Sequence, residues 1–403
     1  MKPIYMDHHA TTPLDPRVLE IMLPYLQEHF GNPSSSTHIY GEIAKKAVEA
    51  AREQVVQLLN AQNPAEIIFT SCATESNNMV LKGAVALSKV ENPEIITIAT
   101  EHKAILDTLK RLNRQGVVTR LAKIDKYGIV DLDSIKEMIN DRTILITIQA
   151  ANSEIGTLQP LRSIGQIAKE HNIPFHTDAV QALGKIKVDV EKDHIDFLSI
   201  SAHKMYGPKG VGALYLRKGH RIAPLLDGGG QERGVRSGTL NVPGIIGLGK
   251  AAEIAGSDLT GEADRVRQLR DMLINGVLER IDQTTLNGHP TLRLPNNANL
   301  SFSYIEGESL ILACKAFAVS TGSACSSETL KSSYVLKAIG VPDSLAHSSI
   351  RFGLGKSNTK EDITLLLDTL EKNVKRLRDM SPLYEMAQQG IDVDKFEWGE
   401  HKH

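Results

Sequence analysis

Lys204 lies in SISAHKMYGPKG, where a short apolar run (Phe197–Ile200) gives way to small polar residues and a Gly/Pro turn. A lone lysine is most often a solvated surface group. This one ends a strand candidate, and Asp178 ends another, in FHTDAVQ, twenty-six residues earlier. That interval is about one strand–helix–strand step, so neighbouring strands can bring amine and carboxylate to one cleft. An aspartate at a strand end is more commonly the cap of a following helix. The apolar run Ile67–Phe69 leads into TSCATESNN, small hydroxyl residues followed by a helical stretch. Backbone N–H groups at such a helix start suit a phosphate, although a plain N-cap is the commoner use. Each feature alone is weak. As an ordered set they match the needs of pyridoxal phosphate: a lysine to hold the aldehyde as a Schiff base, an aspartate to keep the pyridine nitrogen protonated, and a cradle for the phosphate.

The cysteines add a nucleophile. Cys72, Cys314 and Cys325 are too few and too scattered for a disulfide framework, so the chain reads as intracellular and reduced. Cys314, in LILACKAF, fits a small buried hydrophobe, and so does Cys72. Cys325 differs: TGSACSSE is small, polar and glycine-containing, the composition of an exposed loop. A thiol of pKa about 8.5 is only a few per cent thiolate at neutral pH, so the site must lower that value or supply a base.

Positioning these groups falls to alternating strands and helices. Val90–Thr100, Thr143–Gln149, Ile173–Thr177, Phe197–Ile200 and Val211–Leu216 contain strand candidates; Lys103–Arg114 and Ser163–His171 carry apolar residues at helical spacing. The expected fold is therefore α/β, a mostly parallel sheet covered by helices on both faces. Its ligands gather at the carboxyl ends of the strands. After about Gly256 the texture changes: Gly261–Arg280 is a long charged helix, Ala298–Phe302 and Ala316–Val319 are strands, and Glu361–Leu377 is a helix. The expected organisation is an N-terminal segment (1–14) packing with the small domain, a large cofactor domain (15–258), a smaller C-terminal domain (259–379) and a tail (380–403). The connecting helix runs through the soft boundary. The tail holds Trp398 and shows no core-forming periodicity.

Composition excludes several classes. With 46 Lys+Arg against 48 Asp+Glu, the chain has no basic field for nucleic acid. The longest apolar window, TILITIQAA, falls well short of the roughly 18 residues that span a bilayer. No signal peptide or transit sequence is visible at the start. A cytoplasmic location is expected, with an organelle matrix open if a transit peptide was removed. His8-His9 lacks further ligands at usable spacing, so no resident metal is expected.

The motifs YMDHHATTPLDP, GNPSSSTH, FTSCATESNN, TEHKAILD, ANSEIG, HTDAVQALGK, SAHKMYGPKG, GGGQERGVRSGT, STGSACSS, AHSSIRFGLG and SPLYEMAQQGIDVDKFEW run nearly end to end. Together they resemble the cysteine desulfurases, fold-type-I pyridoxal-phosphate enzymes of the class-V aminotransferase family. The likeness is nearest to the housekeeping kind that supplies sulfur for iron–sulfur clusters. The resemblance implies a large domain with a seven-stranded, mostly parallel sheet and a smaller α/β domain. It implies that Lys204 carries the cofactor, Asp178 pairs with the pyridine nitrogen, and His102 stacks on the ring as an acid–base group. Gln181 and Asn152 contact the ring hydroxyl region, with Asn152 also near substrate. Ala73, Thr74, Ser201 and His203 hold the phosphate, and Thr239 reaches the phosphate of a partner subunit in a homodimer. Arg351 takes the carboxylate of L-cysteine by a bidentate pair. Cys325 accepts the sulfur as a persulfide and could transiently ligate a cluster. An iron–sulfur scaffold protein and other acceptors are the implied partners, tRNA thiolation being one open outlet. The tail is the implied docking segment for the scaffold.

Four residues depart from the family pattern. Cys72 and Ala202 stand where glycine is usual, Ser153 replaces an asparagine, and Ser36 an arginine. His8 and His9 are also unusual in the opening motif. Glycine replacements cost little unless the backbone needs φ > 0. The rivals are a selenocysteine lyase, an aminotransferase, for which a loop cysteine has no use, and a catalytically silent scaffold.

Overall fold

The structure is a computed structural model describing residues 2–321 and 332–390. In chain order the strands are β1 (Ile4–Tyr5), β2 (Ile67–Thr70), β3 (Glu94–Ile98), β4 (Val118–Ala122), β5 (Thr143–Thr147), β6 (Phe175–Asp178), β7 (Phe197–Ser201), β8 (Gly212–Leu216), β9 (Thr284–Leu286), β10 (Asn297–Phe302), β11 (Phe317–Ala318) and β12 (Ser349–Gly353). The α-helices are α1 (Pro16–Gln27), α2 (Ile39–Leu59), α3 (Ala73–Leu87), α4 (Lys103–Asn113), α5 (Leu132–Met138), α6 (Leu161–Glu170), α7 (Val242–Arg280), α8 (Gly307–Ala313), α9 (Tyr334–Ala338), α10 (Asp343–His347), α11 (Lys360–Asp379) and α12 (Pro382–Gln388).

Seven strands form one sheet in the order β2-β8-β7-β6-β5-β3-β4. The pairs from β7 to β4 are parallel, while β8 runs antiparallel to both β2 and β7. The short 202–211 connection allows that reversal, because a tight turn cannot return a chain to a parallel strand. Every residue of β3 and of β7 is buried, as expected for strands covered on both faces. Helix α4 buries Ile105, Thr108, Leu109 and Leu112, one helical stripe.

A second, antiparallel sheet, β12-β10-β9, has its own core of Leu300, Phe302, Ile350, Phe352, Leu366 and Leu370. Helix α7 belongs to both cores: Ile245, Leu248 and Ala252 pack beneath the large sheet, and Leu269, Leu273 and Val277 beneath the small one. The pattern Gly261–Arg280 caught only its second half. Glycines lower helix propensity in the first half. At Gly249 the reason is close packing, since a Cβ there would come within 2.6 Å of the Ala51 Cα on α2.

The N-terminal segment staples the two sheets. β1 pairs with β11, the His8 amide donates to the Gly353 carbonyl of β12, and the Thr12 amide donates to the His203 carbonyl beside β7. In the tail, α12 forms where periodicity gave no core, and it buries no residue fully; Tyr384 packs on Tyr304 at 5.7 Å between ring centroids. Trp398 and Cys325 lie outside the described residues. Among the described residues no helix is long and apolar enough to cross a membrane.

Candidate active site

β6 and β7 are adjacent, with Asp178 in register with Ser199, so Asp178 and Lys204 leave the same edge of the sheet. Lys204 closes a single 3-10 turn, Ala202–Lys204, directly after β7. Its Nζ donates to the carbonyls of His9 (2.5 Å) and Ala10 (2.6 Å). Two residues on, Tyr206 has φ of +65°, a strained conformation that persists only where surroundings over-determine it. They do: its amide donates to Thr12 Oγ1, its carbonyl accepts from Asp15, and its hydroxyl accepts from the Lys356 amide.

Asp178 is buried, and both its oxygens accept N–H donors: Asn77 Nδ2 at 2.8 Å and the Val180 amide at 3.1 Å. Asn77 comes from α3, so the helix that begins at the expected phosphate cradle also holds the carboxylate. That helix starts at Ala73 behind Cys72, which gives no side-chain cap. The amides of Ala73 and Thr74 therefore have no intrahelical acceptor. A Cβ at Gly212 would approach the Cys72 Cα to 2.9 Å, so bare glycine on β8 lets the strand and the helix start meet. Ser201 is buried at the end of β7. His203 Nδ1 meets Thr11 Oγ1 at 3.1 Å; burial, then the cations Lys204, Lys209 and Lys185, push its pKa down to about 4. The ring is neutral at pH 7.

Around the ring position, Gln181 and His9 are paired and buried. Asn152 donates to the Thr100 carbonyl at 2.9 Å, while its oxygen caps the Glu154 and Ile155 amides. Exposed His102 is the N-cap of α4, its Nδ1 accepting from the Ala104 amide, which leaves Nε2 to carry the proton of the neutral ring. Beneath it Glu101 is fully buried, and burial pushes its pKa well up.

Arg351 on β12 is buried and already engaged: NH2 donates to Asp7 Oδ1 (2.8 Å) and Ser320 Oγ (2.9 Å), NH1 to the Ser153 carbonyl (3.3 Å). The residues bracketing the Cys325 segment are tied to two expected site residues. The Arg351 amide donates to the Ser320 carbonyl, and the Tyr334 hydroxyl donates to the Glu101 carbonyl beside His102. Thr239 is exposed in the loop before α7. That loop is fastened by Arg52, which grips Glu232 through two bonds of 2.8 Å, and by Arg236 on Glu75 of α3.

Sequence reasoning missed Asn77, His9, Lys185 and the Arg52–Glu232 pair. Lys185 donates to the Lys204 carbonyl at 3.3 Å; burial, then the Lys204 charge, lower its pKa to about 7. Of the departures, Cys72 has φ of −177°, fully extended, and none of Ser36, Cys72, Ser153 or Ala202 has positive φ. Their side chains thus impose no backbone strain. Among the described residues no three His, Cys, Asp or Glu side chains converge as a metal set. His8 and His9 each spend Nδ1 on another partner.

The class-V aminotransferase model matches residues 4–366. The chain belongs to the class-V aminotransferase family. Among its relatives, Cysteine desulfurase IscS of Anaeromyxobacter dehalogenans is 50% identical over 98% of each chain. The mitochondrial Cysteine desulfurase of Arabidopsis thaliana is 48% identical, covering 99% of this chain and 88% of its own. A solved NifS-like protein superposes with a TM-score of 0.87 at 40% identity, over 93% of this chain and 100% of its own. This class-V aminotransferase has the pyridoxal-phosphate dependence of its family. The donor set fits that cofactor: an amine and a carboxyl at adjacent strand ends, a helix start without a side-chain cap, and a glycine where a Cβ would close the gap.

Proposed function

We propose that this chain is a cysteine desulfurase, taking sulfur from L-cysteine, releasing L-alanine and passing the sulfur to acceptors for iron–sulfur cluster assembly. The end-to-end likeness to cysteine desulfurases carries this conclusion. Pyridoxal phosphate, when bound, supplies an electron sink for chemistry at the substrate's Cα.

The chain's own residues do the rest. Lys204 holds the cofactor and, released from it, is the amine that takes and returns a proton. Asp178 faces the pyridine nitrogen, supported by its two N–H donors. Ala73, Thr74, Ser201 and His203 hold the phosphate, Gln181 and Asn152 the ring hydroxyl side, and His102 covers the ring. Arg351 binds the substrate carboxylate while sharing its guanidinium with Asp7. The Cys325 thiolate attacks the substrate sulfur; the Cβ–S bond breaks with its electron pair going to carbon, and a persulfide remains on Cys325. The anchoring of Ser320 and Tyr334 beside Arg351 and His102 supports this placement.

A homodimer completes the site. Leu19, Leu23 and Leu26 leave an exposed apolar face on α1, with exposed Phe30 just after it, which supports a second copy as its cover. Thr239 then reaches the partner's phosphate. The large unit is 15–258, the small one 259–379, and the tail from 380 docks an iron–sulfur scaffold. The sparse, scattered cysteines support a reduced compartment, cytoplasm or organelle matrix.

The test is alanine and persulfide formation from L-cysteine, with selenocysteine assayed alongside. Cys325→Ser should keep the cofactor's visible absorbance and yield neither product. Normal alanine output from that variant, or turnover of selenocysteine alone, would overturn the assignment.

A further inference from the structure

His9 is 1% exposed and touches both sheets: its ring lies between Gln181, beyond β6, and Asn297, at the start of β10. The polarity of each bond in this chain is decided by its far end. Arg293 NH2, which can only donate, gives a hydrogen bond to Asn297 Oδ1 at 2.9 Å. Asn297 Nδ2 donates to the Glu154 carbonyl at 3.1 Å, which can only accept. The Asn297 amide is thus oriented from both sides, and a Cβ on Gly156, at φ +76°, would come within 2.4 Å of its oxygen. The same Nδ2 lies 3.1 Å from His9 Nε2, so that nitrogen must accept. The neutral ring's proton is then on Nδ1, which donates to Gln181 Oε1 at 3.0 Å. Gln181 Nε2 turns back to donate to the His9 carbonyl at 3.0 Å. One amide hydrogen of Gln181 is left over.

We propose that His9 is a positioning residue that relays the fixed polarity of Arg293–Asn297 to Gln181, so that Gln181 presents an N–H donor, never its oxygen, to the cofactor ring's hydroxyl. The inference rests on the reading that Gln181 faces that hydroxyl. It gives an unusual residue of the opening motif a role that a metal pair does not explain. Burial, then the charges of Arg351 and Lys185, hold the His9 pKa well below its ordinary value, so the relay does not reverse as pH changes. The charged groups that bear on His9 are Lys204, Lys185 and Arg351, all cations; among the described residues the ring's hydrogen-bond partners are the neutral amides of Gln181 and Asn297. The carbonyl that Gln181 engages also receives Lys204 Nζ, so the relay and the amine share an anchor.

Histidine-selective 15N NMR on the full-length protein, with and without pyridoxal phosphate, tests the relay directly. The expected result is a neutral His9 protonated at Nδ1 from pH 5.5 to 8.5 in both forms. A proton on Nε2, or a titration in that range, overturns it. Cofactor affinity and the visible spectrum give a second readout. His9→Leu should weaken cofactor binding about tenfold and shift the absorbance, the scale of one lost buried hydrogen bond. His9→Asn, whose amide can still donate to Gln181, should recover most of that loss. Equal behaviour of His9→Leu and the unaltered protein, or of His9→Asn and His9→Leu, overturns the relay. Failure of the unaltered protein to bind the cofactor would defeat the site assignment instead, and the tautomer in the cofactor-free protein would still decide the relay.

Discussion

Arg52 and Arg351 are both buried arginines closing on a carboxylate, yet their hydrogen bonding is completed to different degrees. The Arg52 and Glu232 side chains are 3% and 2% exposed, joined by two parallel bonds. Glu232 also accepts from the Phe69 amide, and the guanidinium stacks over the Phe69 ring at 4.6 Å. Arg351 touches Asp7 through one nitrogen; Asp7 is 18% exposed, and Arg351 Nε has no acceptor among the described residues. A buried cation whose three nitrogens are all bonded, Nε to Glu49 and the other two to Glu232 with the Ile67 carbonyl, is a clamp. One with donors to spare, beside an open carboxylate, is suited to binding a second anion. Burial alone therefore does not distinguish structure from function; the count of satisfied donors does.

Breaking the finished pair should cost most. Glu232→Ala leaves Arg52 buried with only the exposed Glu49 as counter-charge and should destabilise the fold by about 3–5 kcal/mol, read from urea unfolding. A loss under 1 kcal/mol would mean the clamp is not structural. Arg351→Lys should instead leave stability nearly intact and lower kcat/KM for L-cysteine by about 10- to 100-fold, because an ammonium cannot form the paired bonds. The reverse pattern, lost stability with full activity, would erase the contrast.

Lys185 is the limiting case, a half-buried amine whose partner is a carbonyl. Its pKa falls to about 7 in the folded protein, against about 10.4 unfolded. Between those values the unfolded chain binds more protons, so this group makes stability rise with pH from about 7 to 10, by up to about 1.4 kcal/mol per unit. Lys185→Met should flatten that slope; an unchanged slope would assign it elsewhere. The smallest effect is expected from Asp7→Asn. It relieves Arg351 of its partner and should lower KM for L-cysteine about two- to fivefold, with stability changed by no more than about 1 kcal/mol.

How much was legible beforehand follows the range of each interaction. Lys204 and Asp178 end apolar runs, and strand ends are local signals, so their meeting could be read from spacing. The mostly parallel sheet followed from the alternation of strands and helices, while its count of seven came from the resemblance; strands such as β3 and β7 are buried throughout although each carries polar residues. Arg351, His102 and Thr239 carry no local signature and came only from the resemblance. Asn77, Lys185 and His9 escaped because their partners lie far along the chain: residues 9, 181 and 297 meet through three elements, and no periodicity records it. The first half of α7 was hidden for a different reason. Its glycines lower helix propensity, and one of them, Gly249, is what lets α2 lie close against it.

That helix has a mechanical corollary. A rod of 39 residues, roughly 58 Å long, is rooted in two separate oily interiors. Neither interior can loosen without tugging on its neighbour, so a small molecule gripped by the one lends its steadiness to the other.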